Sequence, residues 1–200
     1  EEDGARIPAT PSYTAYLKIA EGCDHRCAFC IIPKLRGRYR SRTMESLLAE
    51  AKALADAGVK ELIVIAQDIT RYGLDLEEKA TLAQLLKELC RLDFHWIRLH
   101  YLYPEAVTDE LIQVIASEPK ILHYLDIPIQ HCNDNILKAM RRRNTKAEIR
   151  ALFAKLRAAM PDVVIRTSLI CGLPGEGEEE FEELCAFLRE EKIQRAGVFQ

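Results

Sequence analysis

The sequence has no apolar run approaching the roughly 20 residues that a membrane-spanning helix needs, so nothing in it reads as a membrane anchor. It has no basic excess. Lys and Arg number 28 against 31 Asp and Glu, a net charge of −3, and the whole-molecule field does not suggest a nucleic-acid binder. It has no Gly/Ser-rich linker and no low-complexity segment. Its start, Glu1-Glu2-Asp3-Gly4, is acidic and polar where a signal peptide is basic and then apolar. The expected location is therefore the cytoplasm. An even cysteine count is also missing: there are seven, which rules out a complete disulfide framework and points instead to metal binding or catalysis. What is present is a 200-residue chain, 48% hydrophobic and 30% charged. That is enough for one domain with a real core and unlike a disordered segment.

Apolar β-rich runs alternate with amphipathic helical patterns. Residues 13–20 read as a first strand, followed by a cysteine loop. Thr43 reads as an N-cap for a helix with Met44, Leu47, Leu48, Ala51, Leu54 and Ala55 on one face, stopped by Gly58. Residues 61–66 (ELIVIA) are continuously apolar after the glutamate, as in a parallel strand covered on both faces. A helix with Leu82, Leu85, Leu86 and Leu89 inward comes next, then a strand at 96–100 and a helix after Thr108. A strand at 124–127 precedes a short helix at 133–141, and Thr145 with Glu148 forms a capping box for another helix. Residues 163–170 read as a fifth strand. Residues 178–190 read as a helix with Phe181, Leu184, Cys185 and Leu188 inward, and 196–200 begin a sixth strand. This βα alternation of about six units implies a parallel sheet with right-handed crossovers, either open and doubly wound or a full or partial barrel. Residues 1–12 are expected to be an extension or linker and 13–200 the domain. The chain stops as a strand begins, so a C-terminal piece is expected beyond it.

Cys23, Cys27 and Cys30 are spaced C-x3-C-x2-C with no fourth cysteine close behind. Zinc ribbons use two matched pairs and ferredoxin runs supply four thiolates. Three thiolates leave one iron of a 4Fe–4S cube without a protein ligand, and that open position can bind a small molecule directly. A structural zinc site completed by His25 or a distant cysteine, or three unrelated thiols, are the competing readings. Phe29, just before the last cysteine, suits either packing on an adenine ring or ordinary core packing.

C-x3-C-x-aromatic-C after the first strand of a six-unit βα protein resembles the radical S-adenosylmethionine superfamily. Beyond it, EGCDHRCAFCIIPKLRGRYRSR (21–42), GVKELIVIAQDITRYG (58–73), YLDIPIQHCNDNILKAMRR (124–142) and RTSLICGLPGEGEEEFEEL (166–184) are similar to the methylthiotransferases. In their tRNA-modifying branch the second strand usually ends in Gly-Gln-Asn and the fourth in Gln-Ser-Gly. Here the corresponding residues are Ala66-Gln67-Asp68 and Gln130-His131-Cys132. Together with Leu99 to Pro104 (LHYLYP), they resemble the branch that modifies a small-subunit ribosomal protein, the RimO family. Cys132 departs from the family pattern and reads as a structural thiol.

The resemblance implies an α/β partial TIM-type barrel of about six βα units. It implies a methylthiotransferase acting on the β-carbon of an aspartate in a small-subunit ribosomal protein at the decoding centre. The three cysteines would carry a 4Fe–4S cluster, and S-adenosylmethionine bound to it would give a 5′-deoxyadenosyl radical. A second cluster is expected in an N-terminal domain that this chain lacks, and an electron donor is required. A tRNA adenosine methylthiotransferase and a non-catalytic, metal-stabilised scaffold are the alternatives. Cofactor contacts are expected from Phe29, Gln67, Asp68, Gln130, Arg166, Ser168, Gly172 and Glu176, mostly at strand ends. Asp68 reads equally as a turn cap, and Gly172 to Gly175 as a tight βα connection. Lys34, Arg36, Arg38, Arg40 and Arg42 read as a solvated loop or as a contact for ribosomal RNA or an acidic substrate loop. Arg141 to Arg143 share that ambiguity.

Overall fold

The computed structural model describes residues 10–200, so most of the expected linker, residues 1–9, lies outside the described residues. The chain runs through β1 (Thr14–Lys18), β2 (Ala20–Glu21), α1 (Ile32–Arg36), β3 (Arg40–Ser41), α2 (Met44–Asp56), β4 (Glu61–Ile65), α3 (Leu82–Cys90) and β5 (Trp96–Leu99). It continues through α4 (Asp109–Ser117), β6 (Ile121–Asp126), α5 (Asp134–Ala139), α6 (Lys146–Ala159), β7 (Val164–Ile170), α7 (Glu178–Glu190) and β8 (Arg195–Phe199). Six strands form one parallel sheet in the order β1-β4-β5-β6-β7-β8. Each new strand is laid beside the last, as successive βα crossovers of one hand dictate. The architecture is the expected α/β partial TIM-type barrel. Among the described residues no helix is long and apolar enough to cross a membrane.

Helix starts follow the sequence signals. The Thr43 side chain accepts from the Ser46 N–H, and Thr108 from that of Leu111. Thr145 and Glu148 form the reciprocal capping box. A second box, Thr81 with Gln84, was not foreseen. The inward set of α7 needs correction: Phe181 is 42% exposed, while Leu184 and Phe187 are buried. Residues 181 and 187 lie equally far around the helix from residue 184, but Phe181 sits in the first turn beside the 172–176 loop, where it lines a surface cavity with Cys171 and Gln200.

The expected first strand is two elements. After β1 the chain turns at Ile19, and β2 leaves the sheet to pair antiparallel with β3, Ala20 against Ser41 and Glu21 against Arg40. This small ribbon closes the base of the cysteine-bearing segment.

The sheet has two unlike faces. Ala15, Leu17, Leu62, Val64, Ile97, Leu99, Leu125 and Ile165 are buried and join the side chains of the surrounding helices in one core. Alternate residues point to the other, inner face. There Glu61 meets Arg98, whose guanidinium lies 5.1 Å over the Tyr124 ring. His100, Asp126, Arg166 and Ser168 form a polar chain next to them. A register shift between β5 and β6 re-aims these strand ends, as bulges near sites commonly do.

Candidate functional site

The cysteine loop leaves the ribbon at Gly22. A Cβ there would sit 2.1 Å from the Arg38 carbonyl oxygen, and φ is +83°, so only glycine fits. The Cys23 N–H donates to the Gly37 carbonyl at 3.2 Å and the Ala28 N–H to the Met140 carbonyl at 3.0 Å. His25 supplies a further tie: its Nε2 lies 2.8 Å from Asp68 Oδ2. The His25 ring stacks on Tyr103 with centroids 3.9 Å apart and planes 3° from parallel. On the far side of Tyr103 the Arg142 guanidinium sits 4.2 Å from the ring centroid. The Tyr103 hydroxyl is 3.4 Å from Cys27 Sγ. Burial pushes the Tyr103 phenol well above its ordinary value, against the opposing pull of Arg142.

Asp68 is wholly buried and anchors this arrangement. Its Oδ1 accepts from the Thr70 N–H at 2.9 Å and from the Thr70 hydroxyl, Oδ2 faces His25, and its carbonyl accepts from the Tyr39 hydroxyl at 2.8 Å. The neighbouring Gln67 lies against a pocket of about 340 Å³ lined by Cys23, Cys30, Ile32, Ala66, Gln67, Tyr101 and Tyr103. The Gln67 Oε1 is buried there without a hydrogen-bond partner. Burial pushes the Cys23 thiol up to about 11, so a metal or another cation is needed to hold it as thiolate at neutral pH.

Strain marks the same end of the sheet. Tyr101 after β5 has φ +65° and Gln130 after β6 has φ +71°, a left-handed conformation that costs a non-glycine residue about 1 kcal/mol and gathers at functional sites. Gln130 bridges to β7, donating to the Ser168 carbonyl and accepting from the Ile170 N–H, both at 2.9 Å. Beyond β7, the Glu176 carboxylate accepts from the Gly172 and Leu173 N–H groups at 2.7 and 3.0 Å. Glu176 Oε1 lies 3.5 Å from Nε2 of the fully buried His131. Burial lowers the pKa of His131, with Glu176 opposing.

The sequence profile of the Radical SAM superfamily matches residues 17–188. The chain belongs to that superfamily. Among curated radical SAM relatives, "Ribosomal protein uS12 methylthiotransferase RimO" of Citrifermentans bemidjiense is 56% identical over 97% of this chain and 44% of its own length. The protein of the same name from Anaeromyxobacter sp. is 55% identical over 98% of this chain and 42% of its own. The chain thus spans less than half the length of these relatives. The solved radical S-adenosylmethionine methyltransferase TsrM from Kitasatospora setae superposes with a TM-score of 0.76 at 17% identity, covering 97% of this chain and 39% of that one. This likeness speaks to the radical SAM fold alone.

Cys23, Cys27 and Cys30 are free thiols, the first two buried and the third half-buried, a donor type that both zinc and iron–sulfur clusters take. One tetrahedral zinc, with Zn–S near 2.3 Å, draws its sulfurs to roughly 4 Å of one another. Among the described residues no three His, Cys, Asp or Glu side chains converge in that way. His25, the fourth ligand of the zinc alternative, is taken by Asp68 and Tyr103.

The other expected contacts divide into three groups. Gln67 faces the pocket beside the cysteines. Asp68 does not: both its oxygens are occupied, which is the turn-cap reading with a loop anchor added. Phe29 is 39% exposed, so it is not a core residue. Arg166 bonds to Asp126 Oδ1 at 2.7 Å and to Ser168 Oγ at 2.8 Å on the inner face. Burial would raise the Asp126 pKa, but His100 and Arg166 outweigh it and hold the carboxyl below its ordinary value. Gly172 has φ +81°, and an added Cβ would meet nothing within 4 Å. Conformation, not close approach, requires glycine there. The site residues missed from the sequence are Tyr103 and Asp126; His25 and Arg142 were singled out for other roles, as a zinc ligand and as part of a basic loop, and the structure places them on the two faces of Tyr103. The stretch LHYLYP contained the signal: a strand followed by two tyrosines and a proline is polar at the very end where sites form. Of the basic run, Arg42 is structural, bound to Glu50 and Ser46. Cys132 is fully buried and its thiol is pushed up to about 12 by that burial, as a structural thiol would be.

Proposed function

We propose that this chain is the radical core of a methylthiotransferase that modifies the β-carbon of an aspartate in the small-subunit ribosomal protein at the decoding centre. The observation that carries the reading is the pocket in which Cys23 and Cys30 face the orphaned carbonyl of Gln67. The relatives named for uS12 support the choice of substrate over a tRNA adenosine, and the built pocket disfavours a bare scaffold.

Cys23, Cys27 and Cys30 would hold three corners of a 4Fe–4S cluster. Such a cluster with S-adenosylmethionine supplies a 5′-deoxyadenosyl radical, able to take hydrogen from a carbon too weakly acidic for a base. The chain's own part is binding and exclusion. Gln67 Oε1 is free to accept from the cofactor's amino group. Ile32, Tyr101 and Tyr103 wall the pocket against water. Exposed Phe29 is free to lie on the adenine. Gln130, Gly172 and Glu176, at the ends of β6 and β7, would make further cofactor contacts, and Arg166 with Ser168 presents hydrogen-bonding groups from the inner face. A second S-adenosylmethionine as methyl donor, a second cluster in an N-terminal domain, an external electron donor and a cytoplasmic location belong to the same proposal. Lys34, Arg36 and Arg38 would meet ribosomal RNA or the acidic substrate loop.

Anaerobic reconstitution tests the core of it. The expected result is a brown protein with about four irons that cleaves S-adenosylmethionine to methionine and 5′-deoxyadenosine on reduction. Ala at any of the three cysteines is expected to abolish both. A colourless zinc protein overturns the reading, and about eight irons per chain overturns the single-cluster part.

A further inference from the structure

We propose that Tyr103 is a positioning residue for the metal site: its phenol donates a hydrogen bond to the Cys27 sulfur and makes the bound cluster easier to reduce. The inference rests on the cluster reading above and goes beyond it. The Tyr103 oxygen lies 3.4 Å from Cys27 Sγ, across 76 residues of sequence. The contact is therefore made by the fold, not by the loop. A thiolate bound to iron has no proton to give, so the phenol is the donor.

The ring is held so that the donor cannot turn away. His25 stacks flat on one face at 3.9 Å and is itself fixed by Asp68 at 2.8 Å. Arg142 covers the other face at 4.2 Å and is pinned by a 2.9 Å bond to the Pro128 carbonyl. Arg142 and Tyr103 are 7% and 9% exposed. Hydrogen bonds to the sulfurs are among the determinants of a cluster's reduction potential. A donor offsets negative charge at the sulfur and so favours the state carrying one more electron. Residues on three elements would thus act together: the loop through His25, the β5 end through Tyr103, and the α5 exit through Arg142.

The experiment is an EPR-monitored titration with dithionite of anaerobically reconstituted protein, comparing the unaltered chain with Tyr103→Phe. The variant is expected to keep its full iron content and to shift the midpoint potential to a more negative value. An unchanged midpoint at full iron content overturns the inference while leaving the cluster reading intact. Failure of the unaltered chain to take up iron overturns both. Should Tyr103→Phe not hold iron, 3-fluorotyrosine placed at position 103 decides. Its more acidic phenol is a stronger donor and must move the midpoint to a less negative value, and no movement overturns the inference.

Discussion

On the helix-covered face of the sheet, Leu17, Val64, Leu99 and Leu125 are all fully buried among apolar neighbours. One residue further along the same strands, on the inner face, stand Lys18, Ile65, His100 and Asp126. The first set could be interchanged with other aliphatics of similar volume. Apart from Ile65, the second is a set of polar groups, ending in a carboxylate held by His100 and Arg166. One face is apolar core and the other is largely polar. Strand alternation lets a single stretch of sequence serve both.

Three substitutions break or sharpen this contrast. Leu99→Ala, on the apolar face, should lower unfolding stability by about 3 kcal/mol in denaturant titration, because it leaves a cavity in a packed core. Iron uptake per folded molecule should not change. Asp126→Asn, on the inner face, should cost about 2 kcal/mol at neutral pH, as lost charge-assisted hydrogen bonds do. That difference has a pH signature. The Asp126 carboxyl is held below its ordinary value, so its contribution is complete above about pH 4. It disappears as pH falls through the lowered folded value. Stability curves of the two proteins should converge in acid, and parallel curves would refute the assignment. Gln67→Leu should have the smallest effect and the opposite sign. Removing a buried carbonyl that has no partner should raise stability by about 1 kcal/mol, while S-adenosylmethionine binding to reconstituted protein weakens. Loss of both stability and binding would place Gln67 in the structural class.

The apolar face was legible in the sequence because period 2 and period 3.6 are statements about neighbours. ELIVIA announced β4, and Leu82, Leu85, Leu86 and Leu89 announced α3. The cysteine triplet was legible because its ligands are local. The rest of the site was not. Tyr103 reaches Cys27, and His25 reaches Asp68, across 76 and 43 residues. Such pairs follow from sheet order and register, which no local pattern encodes. The β2–β3 ribbon was missed for a related reason. Two residues against two carry no periodicity, and residues 13–20 look like one strand until Ile19 is seen donating to β4 while its carbonyl accepts from Arg42. Phe181 was misassigned because helical phase alone puts it beside Leu184, and phase carries no sign that the first turn of α7 lies against the 172–176 loop and not the core.

Asp68 joins three segments that are otherwise far apart in the chain: the cysteine loop through His25, the turn at Thr70, and the approach to β3 through Tyr39. In network terms it is a hub, and hubs make damage non-additive. A lesion at His25, Thr70 or Tyr39 cuts one spoke, whereas a substitution at Asp68 cuts the His25 and Thr70 spokes together and leaves the Tyr39 bond to its main-chain carbonyl in place. Once the Asp68 carboxylate is removed, little is left for His25 and Thr70 to lose. The tolerance of positions 25 and 70 to change is therefore a property not of those positions alone but of the state of residue 68.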